Sequence, residues 1–362
     1  MTKANPANER IKHEYFGYLE QAMGRDPATI DTAAKSLARF EDSTGAKDFK
    51  RFHRKQAVAF KAKLAQALNA RTGERISKAT MLSTLRDLRA FFFWLAHLPG
   101  FKSHIAYADA DYFNLSDKDV TIARARREKR VPTLAQVHRV LSAMPADTVL
   151  ERRDRALVAF AAMTGARVGA LASFRLEHLD MAEGFVEQDA RTVRTKFAKT
   201  FRTYFIPIGG ETLAIFTAWV AELERDHGWN RDDPLFPATQ TGLDHNGCFC
   251  AAGLSRTGWS TTQPINAVFR RAFDAAGLAY YNPHSFRDML VRYGLSLNLT
   301  IEELKAWSQN LGHADIMTTL MSYARLPVHR QGELIRAAGA PRVAAVDPEA
   351  IILARALLAK LA

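Results

Sequence analysis

The side chains best suited to chemistry stand in four separated stretches: Arg167 in "TGARVGAL", Lys199 in "KTFRTYFIP", His284 with Arg287 in "PHSFRDM", and His313 with Tyr323 in "LGHADIMTTLMSYAR". A guanidinium stays charged at any working pH and presents a planar fork of donors, so two of them suit an anion with paired oxygens. An imidazole can take or give a proton near neutrality. A phenol attacks well only when ionised, and with a reference pKa near 10 about one in a thousand is ionised at neutral pH. Nearby positive charge favours the phenolate, and a neutral imidazole can accept its proton. Together these groups fit attack on a phosphodiester, whose pentacoordinate transition state concentrates negative charge on the non-bridging oxygens. Singly, each has an ordinary alternative: Arg167 as a surface residue after a helix-ending glycine, His313 as a helix cap, Tyr323 as a half-buried aromatic.

The elements that must carry these groups are partly legible. A helix in "DRALVAFAAMTG" stops at Gly165 and delivers Arg167 just beyond it. The runs "GFVEQ", "RTVRTKF" and "RTYFIPI" are rich in β-branched and aromatic residues and predict a small β insert around Lys199. His284 and Arg287, three apart, share one helix face. Helices are expected from residue 211 to the end. Thr318, Thr319 and Ser322 are small enough to let their segment come close to a phosphodiester and present Tyr323, while Met317, Leu320 and Met321 can pack inward.

Upstream, Thr133 with Gln136 forms a capping box that opens a second domain. In the first domain Ser77 caps "KATMLSTLRDLRAFFFWLAHL", where Met81, Leu85, Leu88, Phe92 and Leu95 recur at steps of four and three, and Pro99 with Gly100 ends the helix. Lys78, Arg86 and Arg89 fall off that stripe; such a face is usually just solvated, and it is the net positive charge of this domain that favours DNA contact for them. Six basic residues lie between Lys118 and Arg130, with Arg126, Arg127, Lys129 and Arg130 closest to the second domain; lacking an apolar period, this stretch reads as a linker over something negative. Near the end, Asp347 and Pro348 open a helix with Ile351, Ala354, Leu358 and Leu361 on one side, able to dock on its own domain or on a neighbouring copy.

Composition agrees with a two-domain, DNA-directed chain. At 362 residues, 48% hydrophobic and 24% charged, it can bury two ordinary cores. The net charge is +12, and residues 1–130 hold 25 Lys and Arg against 15 Asp and Glu, so the surplus sits in the first third. A basic domain beside a near-neutral one suggests a polyanion partner. No apolar run approaches the ~18 residues of a membrane span and "MTKANPANER" offers no signal sequence, so a cytoplasmic, nucleoid-associated protein without a membrane partner is expected. Cys248 and Cys250 are too close for an easy disulfide, and with His245 they match no common zinc spacing, so neither metal nor cofactor is expected.

The order Arg, Lys, His-x-x-Arg, Leu-Gly-His, Tyr across residues 167–323 resembles the tyrosine recombinase, or phage integrase, family. The resemblance covers 133–326 as catalytic domain; the basic helices of 1–117 are similar to the family's core-binding domain, leaving 118–132 as basic linker and 327–362 as a tail with a helix. It implies a mainly α fold with a small antiparallel β-sheet, a helical SAM-like core-binding domain preceding the tyrosine-recombinase domain. It also implies a site-specific recombinase or integrase that cleaves and rejoins DNA through a 3′-phosphotyrosine, without nucleotide or divalent metal. By resemblance Arg167 and Arg287 hold the phosphate, Tyr323 attacks, His284 accepts its proton, His313 binds a phosphate oxygen, and a hairpin Lys protonates the leaving 5′-oxygen. Counting back eight from Pro207 in the family pattern selects Lys199, with Lys196 as competitor. The implied partners are double-stranded DNA with inverted half-sites and other copies of the chain, as a homotetramer on DNA and a monomer when free. Three departures stand out: one residue more than usual between Leu-Gly-His and Tyr, within "MTTLMS", to be absorbed by a bulge or longer loop; Ala170 where an acidic residue is common; and Asp288 where His often follows Arg. The competing readings are a catalytically silent DNA-binding regulator on the same fold and a type IB topoisomerase.

Overall fold

The computed structural model describes residues 4–70, 72–125, 130–243, 245–297 and 299–313. Tyr323 and the segment leading to it, the expected tail helix, and Arg126, Arg127 and Lys129 lie outside the described residues. The chain divides into two compact units, Met1–Arg127 and Glu128–Ala362.

The first unit is helical: α1 (Pro6–Gly17), α2 (Pro27–Thr44), α3 (Arg54–Gln66), α4 (Lys78–Leu95) and α5 (Asp117–Arg124). Local chemistry sets their starts. Asn5, Asp26, Ser77 and Ser116 each accept a backbone N–H of the first turn, and Pro opens α1 and α2 where its missing donor costs nothing. On α4 the anticipated stripe, Met81, Leu85, Leu88, Phe92 and Leu95, is buried. It meets an aromatic core in which Phe92 stacks on Phe52 at 3.9 Å and takes Phe40 edge-on at 5.3 Å. Two details differ from expectation. Helix α4 ends at Leu95, ahead of Leu98, in a run of turns. The stretch read as linker begins as helix: α5, capped by Ser116, is tied to α4 by Lys78 and Asp119 at 2.9 Å, which makes residues 117–124 part of this unit.

In the second unit α6 (Leu134–Ala143), α7 (Val149–Thr164) and the short α8 (Val168–Leu171) lead to β1 (Leu179–Asp180), β2 (Phe185–Gln188) and β3 (Phe201–Tyr204). These strands form an antiparallel sheet in the order β1-β2-β3, with Leu179 opposite Val186 and Phe185 opposite Tyr204. There follow α9 (Thr212–Arg225), the hairpin β4 (Pro237–Leu243) and β5 (Phe249–Gly258), and α10 (Gln263–Ala275), α11 (Pro283–Ser296) and α12 (Ile301–Asn310). The Thr133–Gln136 capping box is present at the start of α6. Helix α7 is the buried centre, its residues Ala156–Met163 all within the core.

The strand pattern corrects the sequence reading twice. "RTVRTKF" forms no strand; residues 189–199 make turns and one tight helical turn with Phe197 at φ 63° and Ala198 at φ 48°, so β3 starts only at Phe201. Nor is the region after 211 all helical, because β4 and β5 interrupt it. That hairpin is anchored at its base by Arg153, which donates to the Pro237 carbonyl and to Thr239, both at 3.0 Å, and stacks on Trp259. Cys248 and Cys250 lie exposed near its turn. Among the described residues no helix is long and apolar enough to cross a membrane.

Candidate active site

Two helix ends, one helix face and one hairpin bring the distant groups together. Helix α7 stops because Gly165 takes the left-handed conformation, φ 58°, its N–H bonded to the Ala161 carbonyl at 2.9 Å. The approach there is close: a Cβ on Gly165 would lie 3.3 Å from the Arg287 Cα. The end of α7 is therefore pressed against α11, and Arg167, half-buried at the N-cap of α8, follows two residues later. Arg287 returns the contact by donating Nη1 to the Gly165 carbonyl at 3.2 Å. Its guanidinium is only 2% exposed, so its fork is held by packing rather than free to swing.

His284 and Arg287 do lie on one face of α11, at different depths. His284, in the first turn after Asn282 caps the helix, keeps 48% of its side chain exposed; its Nε2 is 3.8 Å from Oδ1 of the buried Asp288. Asp288, a departure from the expected pattern, thus faces the first histidine, where a carboxylate can orient an imidazole.

The Leu-Gly-His motif has a plain backbone explanation. Leu311 caps α12, Gly312 is left-handed at φ 66° with its N–H on the Gln309 carbonyl at 2.7 Å, and the His313 N–H reaches the Ser308 carbonyl at 3.1 Å. These paired bonds make a Schellman ending, which needs glycine for its positive φ and turns the next residue away from the helix axis. Leu311 anchors the turn in the core; a Cβ on Gly312 would run into the Phe201 ring of β3. His313, 6% exposed, is delivered into the site by that turn.

Lys199 comes from the other side, on the β2–β3 connection. After the left-handed residues Phe197 and Ala198 the chain returns to extended geometry at Lys199, which is half-buried. Lys196 is exposed, its ammonium 4.8 Å from the centroid of the Phe197 ring.

The electrostatics of His313 report the convergence. Its pKa is pushed down to about 4, first by burial and then by the positive charge of Arg287, Arg167, Lys199 and His284. Four of the six groups picked from sequence thus lie within electrostatic reach of a fifth, the His313 imidazole, across up to 146 positions of chain. Lys196 is absent from that set. The sixth, Tyr323, lies outside the described residues.

One contributor escaped the sequence reading. Asn310 accepts the Tyr204 N–H on Oδ1 at 2.6 Å and donates Nδ2 to the Tyr204 carbonyl at 3.0 Å, joining the end of α12 to β3. An asparagine in the last turn of a helix carries no signal for such a distant contact. Of the proposed DNA contacts in the first unit, Arg86 and Arg89 are exposed along α4 and Lys78 is partly so, and Arg130 is exposed in the second.

Residues 131–330 match the model of the phage integrase family. The chain belongs to that family. The integrase match spans more than half of the sequence and includes each of the six groups. Curated relatives are the tyrosine recombinase XerC of Xylella fastidiosa (strain M23), 22% identical over 314 residues and covering 86% of this chain and 90% of the relative, and XerD of Listeria monocytogenes serotype 4b (strain F2365), 25% identical over 315 residues, covering 84% and 91%. In fold the chain is similar to a lambda integrase dimer bound to a COC' core site (14% identity, TM-score 0.58, 86% and 94% covered). It is also similar to the Tn1549 transposon integrase in complex with transposon right end DNA (16%, TM-score 0.56, 91% and 99%). This integrase-family chain is a tyrosine recombinase, an enzyme of site-specific DNA recombination, on the mainly helical fold with small antiparallel sheets expected from its sequence.

Proposed function

We propose that the cluster around His313 grips one DNA phosphate while Tyr323 attacks its phosphorus. Arg167 and Arg287 bind the non-bridging oxygens as charged forks and stabilise the extra negative charge of the transition state. His313 stays neutral at neutral pH because burial and the positive charge of Arg287, Arg167 and Lys199 oppose its protonation, so it serves as a neutral N–H donor to the same phosphate. His284, more exposed and set against Asp288, accepts the phenol proton as the bond from Tyr323 Oη to phosphorus forms. Lys199 protonates the departing 5′-oxygen, and the product is a 3′-phosphotyrosine that keeps the bond energy for rejoining. The observation that supports this reading is the shared electrostatic reach of Arg167, Lys199, His284 and Arg287 on His313.

The substrate is double-stranded DNA with inverted half-sites, and the working assembly is a tetramer formed on it from chains that are monomeric when free. Lys78, Arg86, Arg89, Arg126, Arg127, Lys129 and Arg130 supply phosphate contacts, drawing on the +10 surplus of residues 1–130. Such a protein acts in the cytoplasm, at the nucleoid. The domain limits that suit this division of labour are 1–117, 118–132, 133–326 and 327–362, modified by the helical start of the linker.

The direct test is covalent trapping. A nicked duplex carrying the target site should become linked to the wild-type chain with EDTA present, and Tyr323→Phe should bind it without linkage. Tight binding of duplex by wild type with no linked product, in EDTA or in magnesium, would instead identify a catalytically silent DNA-binding protein.

A further inference from the structure

The Lys199 hairpin and the Leu-Gly-His turn come from segments over a hundred residues apart, yet a proton donor and a phosphate ligand must hold a fixed separation to serve one phosphate. Three bonds at one place join them. Asn310 Oδ1 accepts the Tyr204 N–H at 2.6 Å, Asn310 Nδ2 donates to the Tyr204 carbonyl at 3.0 Å, and Thr203 Oγ1 donates to the Asn310 carbonyl at 2.9 Å. The amide side chain thus occupies the place of another strand beside β3, whose other edge pairs with β2. Thr203 is itself buried and accepts from Gln188 of β2 at 2.8 Å, so the link extends across the hairpin.

Both ends of this clamp are close in sequence to working groups: Lys199 precedes Phe201, the first residue of β3, and His313 follows Asn310 by three. Between them Gly312 is seated on the Phe201 ring so tightly that no side chain fits. The other arm of the hairpin is fixed separately, by the Arg194 N–H on Ser173 Oγ at 2.9 Å and the Arg194 guanidinium on the Ser260 and Trp259 carbonyls. Between these two anchors run Phe197 and Ala198, in the left-handed conformation unusual for residues with a side chain. The Asn310 contact is where the Lys199 arm of the hairpin meets the His313 turn.

We infer that Asn310 is a positioning residue that sets Lys199 against the His313 turn, so that proton delivery to the leaving oxygen depends on it. The inference rests on the reading of Lys199 as general acid. Asn310 acts through β3, by its bonds to Thr203 and Tyr204. General acids contribute about 10²–10⁴ in rate, and a displacement of about 1 Å can cost on the order of 100-fold, so loss of the clamp should be visible in the chemical step.

The test compares two leaving groups. A duplex selected from a random library by binding to the full-length chain is nicked, its cleavage position mapped, and the scissile 5′-bridging oxygen replaced by sulfur, which leaves without a proton donor. On the oxygen substrate Asn310→Ala should form the covalent adduct roughly 10- to 100-fold more slowly than wild type. On the sulfur substrate it should come within about threefold of wild type, as Lys199→Ala does, whereas His313→Ala stays slow on both. Asn310→Asp, which keeps the acceptor for the Tyr204 N–H and loses the donor to its carbonyl, gives the same pattern at smaller size and supplies the readout if the alanine variant unfolds. Equal slowing of both Asn310 variants on both substrates, with Lys199→Ala rescued, overturns the inference and leaves the Lys199 reading intact. Failure of sulfur to rescue Lys199→Ala overturns both.

Discussion

In the N-terminal unit the cations assigned to DNA stand at the surface beside carboxylates: Lys78 is 2.9 Å from Asp119, Arg89 2.8 Å from Asp111, and Arg86 3.5 Å from Asp87. In the C-terminal unit Arg287 is 2% exposed and His313 6%, held by a helix face and a Schellman turn. The first arrangement is cheap and exchangeable, since exposed ion pairs contribute about 0–1 kcal/mol and a DNA phosphate can replace the carboxylate partner. The second is costly to fold, because removing charge from water is unfavourable, and it is fixed before substrate arrives. Surface charge suits affinity for any duplex; buried, preorganised charge suits one phosphorus atom. Burial alone does not assign the work, since Arg153 is nearly as buried as Arg287 and anchors the β4–β5 hairpin; under the proposed function, burial together with the nearby Arg167, Lys199 and His313 separates Arg287 from the surface cations.

The largest expected effect tests the buried side. Arg287→Lys keeps the charge and loses the fork, so the rate of covalent adduct formation should fall about 10²–10³-fold while duplex binding changes little. A uniform fall in duplex affinity with an unchanged adduct rate would mean that Arg287 behaves like a surface cation.

A second effect comes from protons. Unfolded, His313 titrates near 6.5; folded, near 4. Between those values the unfolded chain takes up a proton that the folded chain refuses, so stability present above pH 6.5 is lost as the pH falls toward 4. The denaturation midpoint of wild type should drop across that window, and that of His313→Gln should drop less. Identical drops would show that the imidazole is not held against a positive cluster. The smallest effect is on the surface side: Arg86→Ala should weaken binding to all duplexes alike and lower the salt dependence by about 0.9 in log–log slope. Selective loss of one sequence would reassign Arg86 to base reading.

Much of this division could be read from the chain before folding. Ser77, Thr133 and Gly165 mark helix limits by local chemistry alone, and the α4 stripe shows its buried face by period. The site groups were legible as residue types, since anion grip, proton transfer and attack each demand particular side chains, and their order was legible only through its resemblance to the phage integrase family. The connection around Lys199 was not, because "RTVRTKF" has strand-like composition while its backbone turns through left-handed Phe197 and Ala198. The β4–β5 hairpin was missed for a related reason. Much of it is exposed on both faces, so no alternation of apolar residues marks it. Nor could sequence show Asn310 reaching Tyr204, a contact created only by the packing of α12 on β3.

The central claim, one phosphate gripped by groups from four stretches of chain, is tested most directly by the structure of Tyr323→Phe bound to a nicked duplex. The account predicts the guanidinium groups of Arg167 and Arg287, the His313 imidazole and the Lys199 ammonium all within about 3–3.5 Å of oxygens on a single phosphate, with the residue-323 ring in line behind it. Arginines on different phosphates, or a phenyl ring at 323 far from the phosphorus that Arg287 holds, would contradict it.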